Sequence, residues 1–593
     1  MKHFCRIFTG ILLLAVFSAT AEVNYQIKIS QPQHHLADVE MTMPVDAAGS
    51  VLVHLPAWRS GKYQILDLAN GVRRFAVADA NGQALSFKKT EKSTWQIDVK
   101  QQGNITVRYQ IYANQLDTRT RHIDDSHGYL NPSAVLMYSE STRLQPVTVQ
   151  LTVPAGWRST SGMAKGPKPH SFVAANYDVL AASPIETGIH QSFQFKVDGR
   201  DYEVVIWGDG NYDAKQIVAD LEKLAGQTSS IWQGYPYQNY LFIIHSSIGA
   251  RGATEHLNST VIQRDRFSFK TRQHYLDFLS TASHELVHTW NVKAYRPAEL
   301  VPYDYLNPNY TKLLWISEGS TSYFQNQLLL RAGLMTTKEF YADLAKSLDR
   351  FDRLAGKTEQ SVAESSFDNW ISLGGDHGDN FSVNIYSEGY LVSWMLDHWL
   401  LDKSQLRASY RSLHSELYKK FSKITAFTDV DVRNIAKQLT GKSLDAWWQQ
   451  QVETPLELNT DELLASAGLV RTASEKVQAF SGITSTFKDG VAKVSKVERD
   501  SPAWQAGLTS DDEIVAVGKL QLKSALTDRL KDFTPKERIV ISYFRNGRLL
   551  EAELTLGSLP EGPSTIKAMP NASKAQKAFH KAWLGVDHDL PKS

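Results

Sequence analysis

Cysteine is almost missing from this sequence, and so is any excess of charge of one sign. Of 593 residues, one is a cysteine, Cys5, so no intramolecular disulfide can form and the fold has to depend on packing. The 64 basic and 63 acidic residues give a formal net charge of +1. This balance gives no electrostatic reason to expect nucleic acid or an anionic membrane as a partner.

The apolar run at the start of the chain, Ile7 to Phe17, is too short to span a bilayer comfortably. Basic residues precede it and the small residues Ala19 and Ala21 follow it, as in a secretion signal. We therefore expect residues 1–21 to be a signal peptide, cleaved to leave a chain with no cysteine and no membrane span. Such a chain suits the oxidising periplasm, so a periplasmic or secreted protein is predicted. An uncleaved membrane anchor is the alternative.

The chain is too long for one hydrophobic core, and its patterns change along its length. The alternation in Ile105–Tyr112 and the Asn81-Gly82 turn between apolar runs predict a sandwich-like all-β domain, which we place at residues 22–190. Helical spacing dominates residues 191–460, and strand patterns return in residues 475–558. Residues 559–593 are expected to be a loosely ordered tail or a short helix. The predicted fold class is multidomain α+β.

The segment Ser283–Trp290 contains the pattern H-E-x-x-H. On a helix, predicted from about residue 272 to about residue 291, His284 and His288 share one face and can bind one metal ion. They would be two of the three protein ligands of a catalytic zinc, and Glu285 beside them could take a proton from zinc-bound water. The alternative is an amphipathic helix with two partly buried histidines.

A third zinc ligand is expected on the next helix, which begins in the apolar segment Leu313–Gly319. Glu318 lies at the start of this otherwise apolar surface. An unpaired buried carboxylate is costly, and a metal ion removes that cost. Glu299 and Glu339 lie in more polar settings, so Glu318 is the predicted ligand.

Two more segments carry groups that suit peptide chemistry. The glycine-bearing loop predicted at Gly252, Ala253 and Glu255 precedes the metal helix, and its carboxylate could hold a free α-ammonium group. On spacing alone, a loop glutamate in water is favoured instead. The hydroxyl of Tyr386 could donate to the oxyanion of a tetrahedral intermediate. With 24 tyrosines in the chain, a core position for Tyr386 is the alternative.

In their order along the chain, these motifs resemble the glycyl aminopeptidase family of PDZ-bearing zinc metallopeptidases, which are similar to aminopeptidase N and thermolysin. The resemblance covers nearly the whole chain after the signal. The matching segments are Leu55–Trp58 with Gly61–Tyr63, His284–Lys293, Trp315–Gly319, and Ser501–Ala503 with Ala506–Leu508. The family usually has proline where Ser60 stands here.

The resemblance implies a thermolysin-like, mostly helical peptidase domain at residues 191–460 and a PDZ-like domain at residues 475–558. Gly252, Ala253 and Glu255 are similar to the glycine-rich exopeptidase motif whose glutamate holds the amino terminus of the substrate. Tyr386 is similar to the tyrosine that stabilises the oxyanion in a tyrosine-x-lysine-glycine element. Glu388 replaces the lysine of that element here.

We therefore expect a zinc aminopeptidase that removes an N-terminal glycine or alanine from peptides. Zn²⁺ would be held by His284, His288 and Glu318, with Glu285 as general base. The expected partners are peptides with a free amino terminus and, at the PDZ-like domain, a peptide carboxyl terminus. The alternatives are a zinc endopeptidase whose PDZ-like domain selects substrates, and a catalytically inert periplasmic scaffold that binds peptides.

Overall fold

The structure, a computed structural model, describes residues 22–371, 374–422 and 425–588. The chain forms two compact units. The first contains residues 22–57, 67–116 and 120–189 of the described chain, and the second contains residues 58–66, 117–119 and everything from residue 190 onward. Within the described ranges, no helix combines the length and apolar character that a membrane crossing requires. The predicted signal peptide lies outside the described residues.

The first unit is built from three sheets. The largest has seven strands in the order β13-β14-β11-β1-β2-β7-β4, the second has the order β12-β15-β10-β9-β8, and the third β3-β6-β5. The strands are β1 Val23–Lys28, β2 Leu36–Val45, β3 Gly49–His54, β4 Val72–Asp79, β5 Phe87–Glu91, β6 Thr94–Val99, β7 Gly103–Tyr112, β8 Asn114–Gln115, β9 Arg121–Ile123, β10 His127–Leu130, β11 Val147–Thr152, β12 Arg158–Ser161, β13 Ala164–Lys165, β14 Ser171–Ala174 and β15 Ile185–Gly188. Two short helices, α1 Pro132–Val135 and α2 Tyr177–Ala181, join them.

Alternation correctly predicted strand β7 of this unit. β7 alternates buried and exposed side chains because every second residue faces the core. The Asn81-Gly82 turn is present, with Gly82 at φ +80°, where a residue without a Cβ is favoured. The hairpin that it closes is short: Ala78 and Ala84 form a bridge, the amide of Leu85 bonds to the carbonyl of Val77, and the chain then leaves to pair β5 with β6.

The second unit opens with a five-stranded sheet in the order β16-β17-β18-β20-β19. Its strands are β16 Gln191–Val197, β17 Arg200–Trp207, β18 Asn239–Ser246, β19 Gly252–Glu255 and β20 Ser259–Arg264, and helix α3 Ala214–Gly226 connects β17 to β18. The prediction of a loop at residues 252–255 is wrong. These residues form the edge strand β19, which pairs antiparallel with β20 because Ala253 and Thr254 lie opposite the apolar Ile262 and Val261.

Helices follow the sheet and enclose one large apolar core. They are α4 Arg272–Val287, α5 Ser320–Arg331, α6 Thr337–Arg353, α7 Val362–Asp368, α8 Gly375–Phe381, α9 Ser387–Lys403, α10 Tyr410–Phe421, α11 Asp429–Thr440, α12 Asp445–Gln451 and α13 Thr460–Ser466. A π-helical turn, Trp315–Gly319, leads directly into α5. The core includes Trp290, Trp315, Phe324 and Trp394, which are fully buried.

After α13, residues 479–556 form a second, smaller core around a sheet in the order β23-β24-β25-β27-β28, with β26 paired to β25. The elements are β21 Leu469–Thr472, β22 Val477–Phe480, β23 Ile483–Lys488, β24 Val491–Val497, α14 Pro502–Gln505, β25 Glu513–Val517, β26 Leu520–Gln521, α15 Leu526–Leu530, β27 Arg538–Arg545, β28 Arg548–Thr555, β29 Gly557–Pro560, β30 Thr565–Ala568 and α16 Lys574–Leu584. Of the two states expected for the tail, the helix is present: α16 buries Trp583 in the large helical core.

Candidate active site

Helix α4 carries the H-E-x-x-H pattern at its carboxyl end. Thr271 caps its amino end by accepting a hydrogen bond from the backbone of His274. The helix ends at Val287, a turn earlier than predicted, because the amides of Thr289 and Trp290 bond only three residues back, to the carbonyls of Leu286 and Val287, and tighten the chain. The two histidines still lie one helical turn apart on the same side.

Three ligand atoms converge at this point. The Nε2 atoms of His284 and His288 are 3.0 Å apart, and Oε2 of Glu318 lies 3.6 Å from the first and 3.2 Å from the second. Atoms bound about 2.0 to 2.2 Å from one tetrahedral ion would be roughly 3.3 to 3.6 Å from each other. The structure therefore brings the three predicted ligands together at separations of 3.0 to 3.6 Å, two of them slightly shorter than in a tetrahedral zinc site.

The other ring nitrogens fix the histidine tautomers. Nδ1 of His284 lies 2.8 Å from Oε1 of Gln325, and Nδ1 of His288 lies 2.8 Å from the backbone oxygen of Asn291. Both partners accept, so each Nδ1 carries the proton and each Nε2 presents a lone pair. Two lone pairs facing each other at 3.0 Å repel, and a cation between them removes that repulsion. The donor set thus fits a metal ion.

Glu318 lies close to the histidines where two helical segments pack tightly at Gly319 and Gly389. It lies in the π-helical turn, and a Cβ added at the next residue, Gly319, would come within 2.4 Å of the backbone of Gly389 in α9. The second carboxylate oxygen, Oε1, accepts a hydrogen bond from the hydroxyl of Tyr63 over 2.8 Å. Burial opposes ionisation of Glu318, but positive charge on His288 and His284, when the rings are protonated, holds its pKa well below the usual range, and a metal ion between the rings would supply such a charge instead. The carboxylate is therefore oriented and ionised.

Glu285 is buried beside the histidines and lines a cleft of about 350 Å³ together with His284, Gly252 and Tyr386. In the part of the chain that the structure describes, its Oε2 has no hydrogen-bond partner. Burial raises its pKa to about 8, and Glu255 adds to the shift, whereas His284 opposes it. A carboxylate with an unused lone pair at this place can exchange a proton with a reactant in the cleft.

Glu255 lies at the end of strand β19 and is 3% exposed, so the alternative of a solvated loop glutamate is wrong. Its Oε1 is 3.1 Å from the ammonium of Lys293, and its Oε2 is 3.8 Å from the guanidinium of Arg59. Gly61 allows this packing, since a Cβ there would come within 1.9 Å of Oε1. The structure thus places an already compensated carboxylate on the strand whose residues Gly252 and Ala253 line the cleft.

Tyr386 precedes helix α9, and its ring centre lies 6.2 Å from that of His284. The residue is 38% exposed, so the alternative of a core position is wrong. Burial of the hydroxyl, followed by the charges of Glu318 and Glu255, raises its pKa well above the usual value. The hydroxyl therefore stays protonated and can donate. The neighbouring Glu388, which replaces the lysine of the resembled element, is buried and paired with Arg350.

Several residues at the site were not found from the sequence. From the sequence, Tyr63, Gln325, Lys293 and Arg59 were given no role at the site. The segment that contains Tyr63 did stand out as a family signature, but nothing in its local pattern predicts a contact with Glu318, 255 positions away.

Comparison with known proteins agrees with this geometry. Residues 24–189 match the Peptidase M61 N-terminal domain, and residues 277–392 match the family M61 glycyl aminopeptidase. The second range includes both histidines, Glu285, Glu318 and Tyr386. These matches confirm the predicted family and the predicted enzyme class.

Among solved structures, an aminopeptidase N family protein from Idiomarina loihiensis is 27% identical with a TM-score of 0.88, covering 95% of this chain and 100% of that one. An M1 zinc metallopeptidase from Deinococcus radiodurans is a more distant match, 13% identical with a TM-score of 0.44, covering 71% of this chain and 90% of the other. No curated protein matches the chain.

Proposed function

This chain carries both domains of the M61 glycyl aminopeptidase family and is a zinc aminopeptidase; from that premise we propose that it removes the N-terminal residue, glycine or alanine, from peptides with a free α-amine. The observation that carries the proposal is the convergence of His284, His288 and Glu318 within 3.6 Å of one another, beside the buried carboxylate of Glu285.

We propose that His284, His288 and Glu318 hold Zn²⁺, which when bound lowers the pKa of water and polarises a carbonyl. Glu285 takes the proton from the attacking water on its unpartnered Oε2 and then delivers it to the amine that leaves. Its burial supports this role, because a carboxyl with a raised pKa binds and releases a proton near neutral pH. Bound zinc would oppose part of that shift.

Tyr386 donates its hydroxyl proton in a hydrogen bond to the oxyanion that develops when the carbonyl is attacked. Its position on the cleft and its raised pKa support this role. Strand β19 supports the placement of substrate, since an extended peptide can add to the open edge of a sheet through backbone hydrogen bonds. Gly252 and Ala253 leave room for this approach.

Glu255 pairs with the α-ammonium of the substrate and so limits cleavage to the first residue. Lys293 already compensates this carboxylate, so the substrate ammonium has to share it with an internal cation. If the substrate ammonium binds Glu255 too weakly for the enzyme to select peptides with a free amine, the endopeptidase alternative is favoured. The preference for glycine or alanine follows from the resemblance to the family.

The small sheet at residues 483–555 supports the further proposal that residues 475–558 form a PDZ-like domain that binds peptide carboxyl termini. Strand β23 lies at an edge of this sheet, where a peptide can add as another strand. The chain is proposed to be exported to the periplasm by residues 1–21, on the basis of the sequence alone.

The test is hydrolysis of glycyl- and alanyl-arylamides and of matched peptides with free or N-acetylated amino termini, each with and without chelator. An aminopeptidase cleaves only the free-amine substrates and loses activity on chelation. Cleavage of the acetylated peptides at an internal bond would support the endopeptidase. No turnover of any substrate by the zinc-loaded protein would support the inert scaffold.

A further inference from the structure

A second cavity, of about 260 Å³, shares Tyr386 with the cleft that contains Glu285. Its wall also includes Tyr63, whose hydroxyl bonds to Glu318, so the cavity starts beside the proposed metal ligands. Trp370 adds an apolar side, and Lys62 adds an ammonium group. A space of this size is slightly smaller than most ligand sites, which usually have about 300 to 1,000 Å³, and suits a small group.

The ammonium group of Lys62 lines this cavity and forms no ion pair with a carboxylate of the described residues. Lys62 is partly buried, yet among the described residues no carboxylate lies within 4.0 Å of its ammonium. The neighbouring cations are used elsewhere: Arg119 is 3.6 Å from Asp117, and Arg59 is 3.8 Å from Glu255. Asp368 lines the same cavity but forms no ion pair with Lys62.

The surroundings of Lys62 favour an anion. Burial lowers its pKa, and the guanidinium groups of Arg119 and Arg59 lower it further, with Asp117 opposing them. A partly desolvated ammonium among other cations is unfavourable unless a negative group compensates it. The resembled family signature includes Lys62, but the sequence pattern gave it no role.

We propose that this cavity receives the carboxyl-terminal part of a short peptide and that Lys62 pairs with its free carboxylate. The inference rests on the proposed function, since it needs the first residue to lie along strand β19 with its carbonyl near Glu285. The remainder of the substrate then runs past Tyr386 into the second cavity. An extended chain advances about 3.3 Å per residue, so in a di- or tripeptide the carboxylate ends within the cavity.

The experiment compares kcat/KM for alanyl tripeptides that end in a free carboxylate and in an amide. We expect the wild type to prefer the acid by roughly tenfold or more, as a charge-assisted hydrogen bond provides, and the preference to decrease with added salt. Lys62→Met should reduce the acid-to-amide ratio to about one, and Lys62→Arg should keep most of it. The control is Lys338→Met, at an exposed lysine of α6, which should keep the wild-type ratio.

Equal rates on acid and amide in the wild type would overturn the inference while leaving the aminopeptidase intact. A Lys62→Met variant that loses activity on both substrates by the same factor would also overturn it, because Lys62 would then be structural. Failure of the wild type to cleave either peptide would instead reject the proposed function, and this inference with it.

Discussion

The hydroxyl of Tyr63 donates a hydrogen bond to Oε1 of Glu318, at 2.8 Å, while Oε2 of the same carboxylate faces the two histidines. One oxygen is thus held by the protein and the other remains for the metal. Both residues are buried, at 5% and 2% exposure, so water does not replace this bond. Groups that orient a ligand in this way affect metal affinity without touching the ion.

Removing this hydroxyl should weaken metal binding. We expect Tyr63→Phe to lower the affinity for zinc by about 10- to 100-fold, because Glu318 loses the donor that fixes its orientation. Competition with a chromophoric chelator measures the affinity. Tyr310→Phe is the control, since Tyr310 is exposed and stacks on Phe367. An unchanged affinity in Tyr63→Phe would show that the hydroxyl has no such role.

The variant Glu285→Gln tests the role of the general base separately from that of the metal ligands. The amide keeps the volume of the side chain but cannot accept the proton, so we expect kcat to fall by about 10²- to 10⁴-fold. Zinc content should stay at the wild-type level, because Glu285 is not one of the three converging ligands. Turnover close to that of the wild type would exclude Glu285 as the general base.

Glu255 and Lys293 form a buried ion pair. We expect Glu255→Gln to destabilise the protein by about 3 to 5 kcal/mol, since it leaves the ammonium of Lys293 buried with less compensation. The double variant Glu255→Gln with Lys293→Met should recover most of that stability. Urea unfolding of the four proteins of this cycle measures the coupling.

Activity distinguishes the two roles of Glu255. If it holds the substrate ammonium, the double variant stays impaired on free-amine peptides although it is stable. Recovery of activity together with stability would mean that Glu255 only neutralises Lys293.

The contact of Gly319 with Gly389 should tolerate no side chain. We expect Gly319→Ala to destabilise the fold by about 1 to 3 kcal/mol, or more, because the new methyl would meet backbone rather than a movable side chain. Gly226→Ala is the matched control at the end of α3, where a Cβ meets nothing within 4 Å. It should be neutral or stabilising by up to about 1 kcal/mol. Thermal or urea unfolding compares the two, and equal stabilities would contradict the tight approach.

Two buried histidines outside the site should make the fold sensitive to acid. Burial lowers the pKa of His414 to about 3 and that of His398 to about 4. As the pH falls, the unfolded chain binds these protons near pH 6.5, whereas the folded chain binds them only at lower pH. The contribution of these histidines to the free energy of unfolding is therefore full above pH 6.5 and decreases as the pH falls toward 4. Each histidine contributes a slope of about 1.4 kcal/mol per pH unit in this window.

Replacing one of these histidines should reduce the pH dependence of the free energy of unfolding by about 1.4 kcal/mol per pH unit, which is the contribution of one proton. We expect this reduction in His414→Gln and, separately, in His398→Gln. The measurement is the free energy of unfolding in urea at several pH values between 4 and 6. A slope that is the same in both variants and the wild type would contradict the neutral, buried state of these rings.

Local patterns were sufficient for most elements. Alternation predicted β7, and helical spacing predicted α4, because the side chains of these elements repeat with the period of the structure that buries them. Spacing within one helix was also sufficient to pair His284 with His288. Glu318 could be chosen because a carboxylate in an apolar segment needs a partner.

What the sequence did not predict depends on contacts between distant segments. Strand β19 has only four residues and was interpreted as a loop, since its pairing with β20 is a tertiary effect. Tyr63 and Lys62 belong to a stretch, residues 58–66, that leaves the first unit and joins the second. Nothing in the local composition of that stretch indicates where it packs.

The most direct test of the central claim is a titration of zinc into the chelated enzyme, with hydrolysis of alanyl-arylamide measured at each step. If His284, His288 and Glu318 hold the catalytic ion, activity returns in proportion to zinc and stops rising at one ion per chain, and His288→Ala shows no return at the same concentrations. Full activity in the metal-free protein, or an unchanged titration in His288→Ala, would contradict the account.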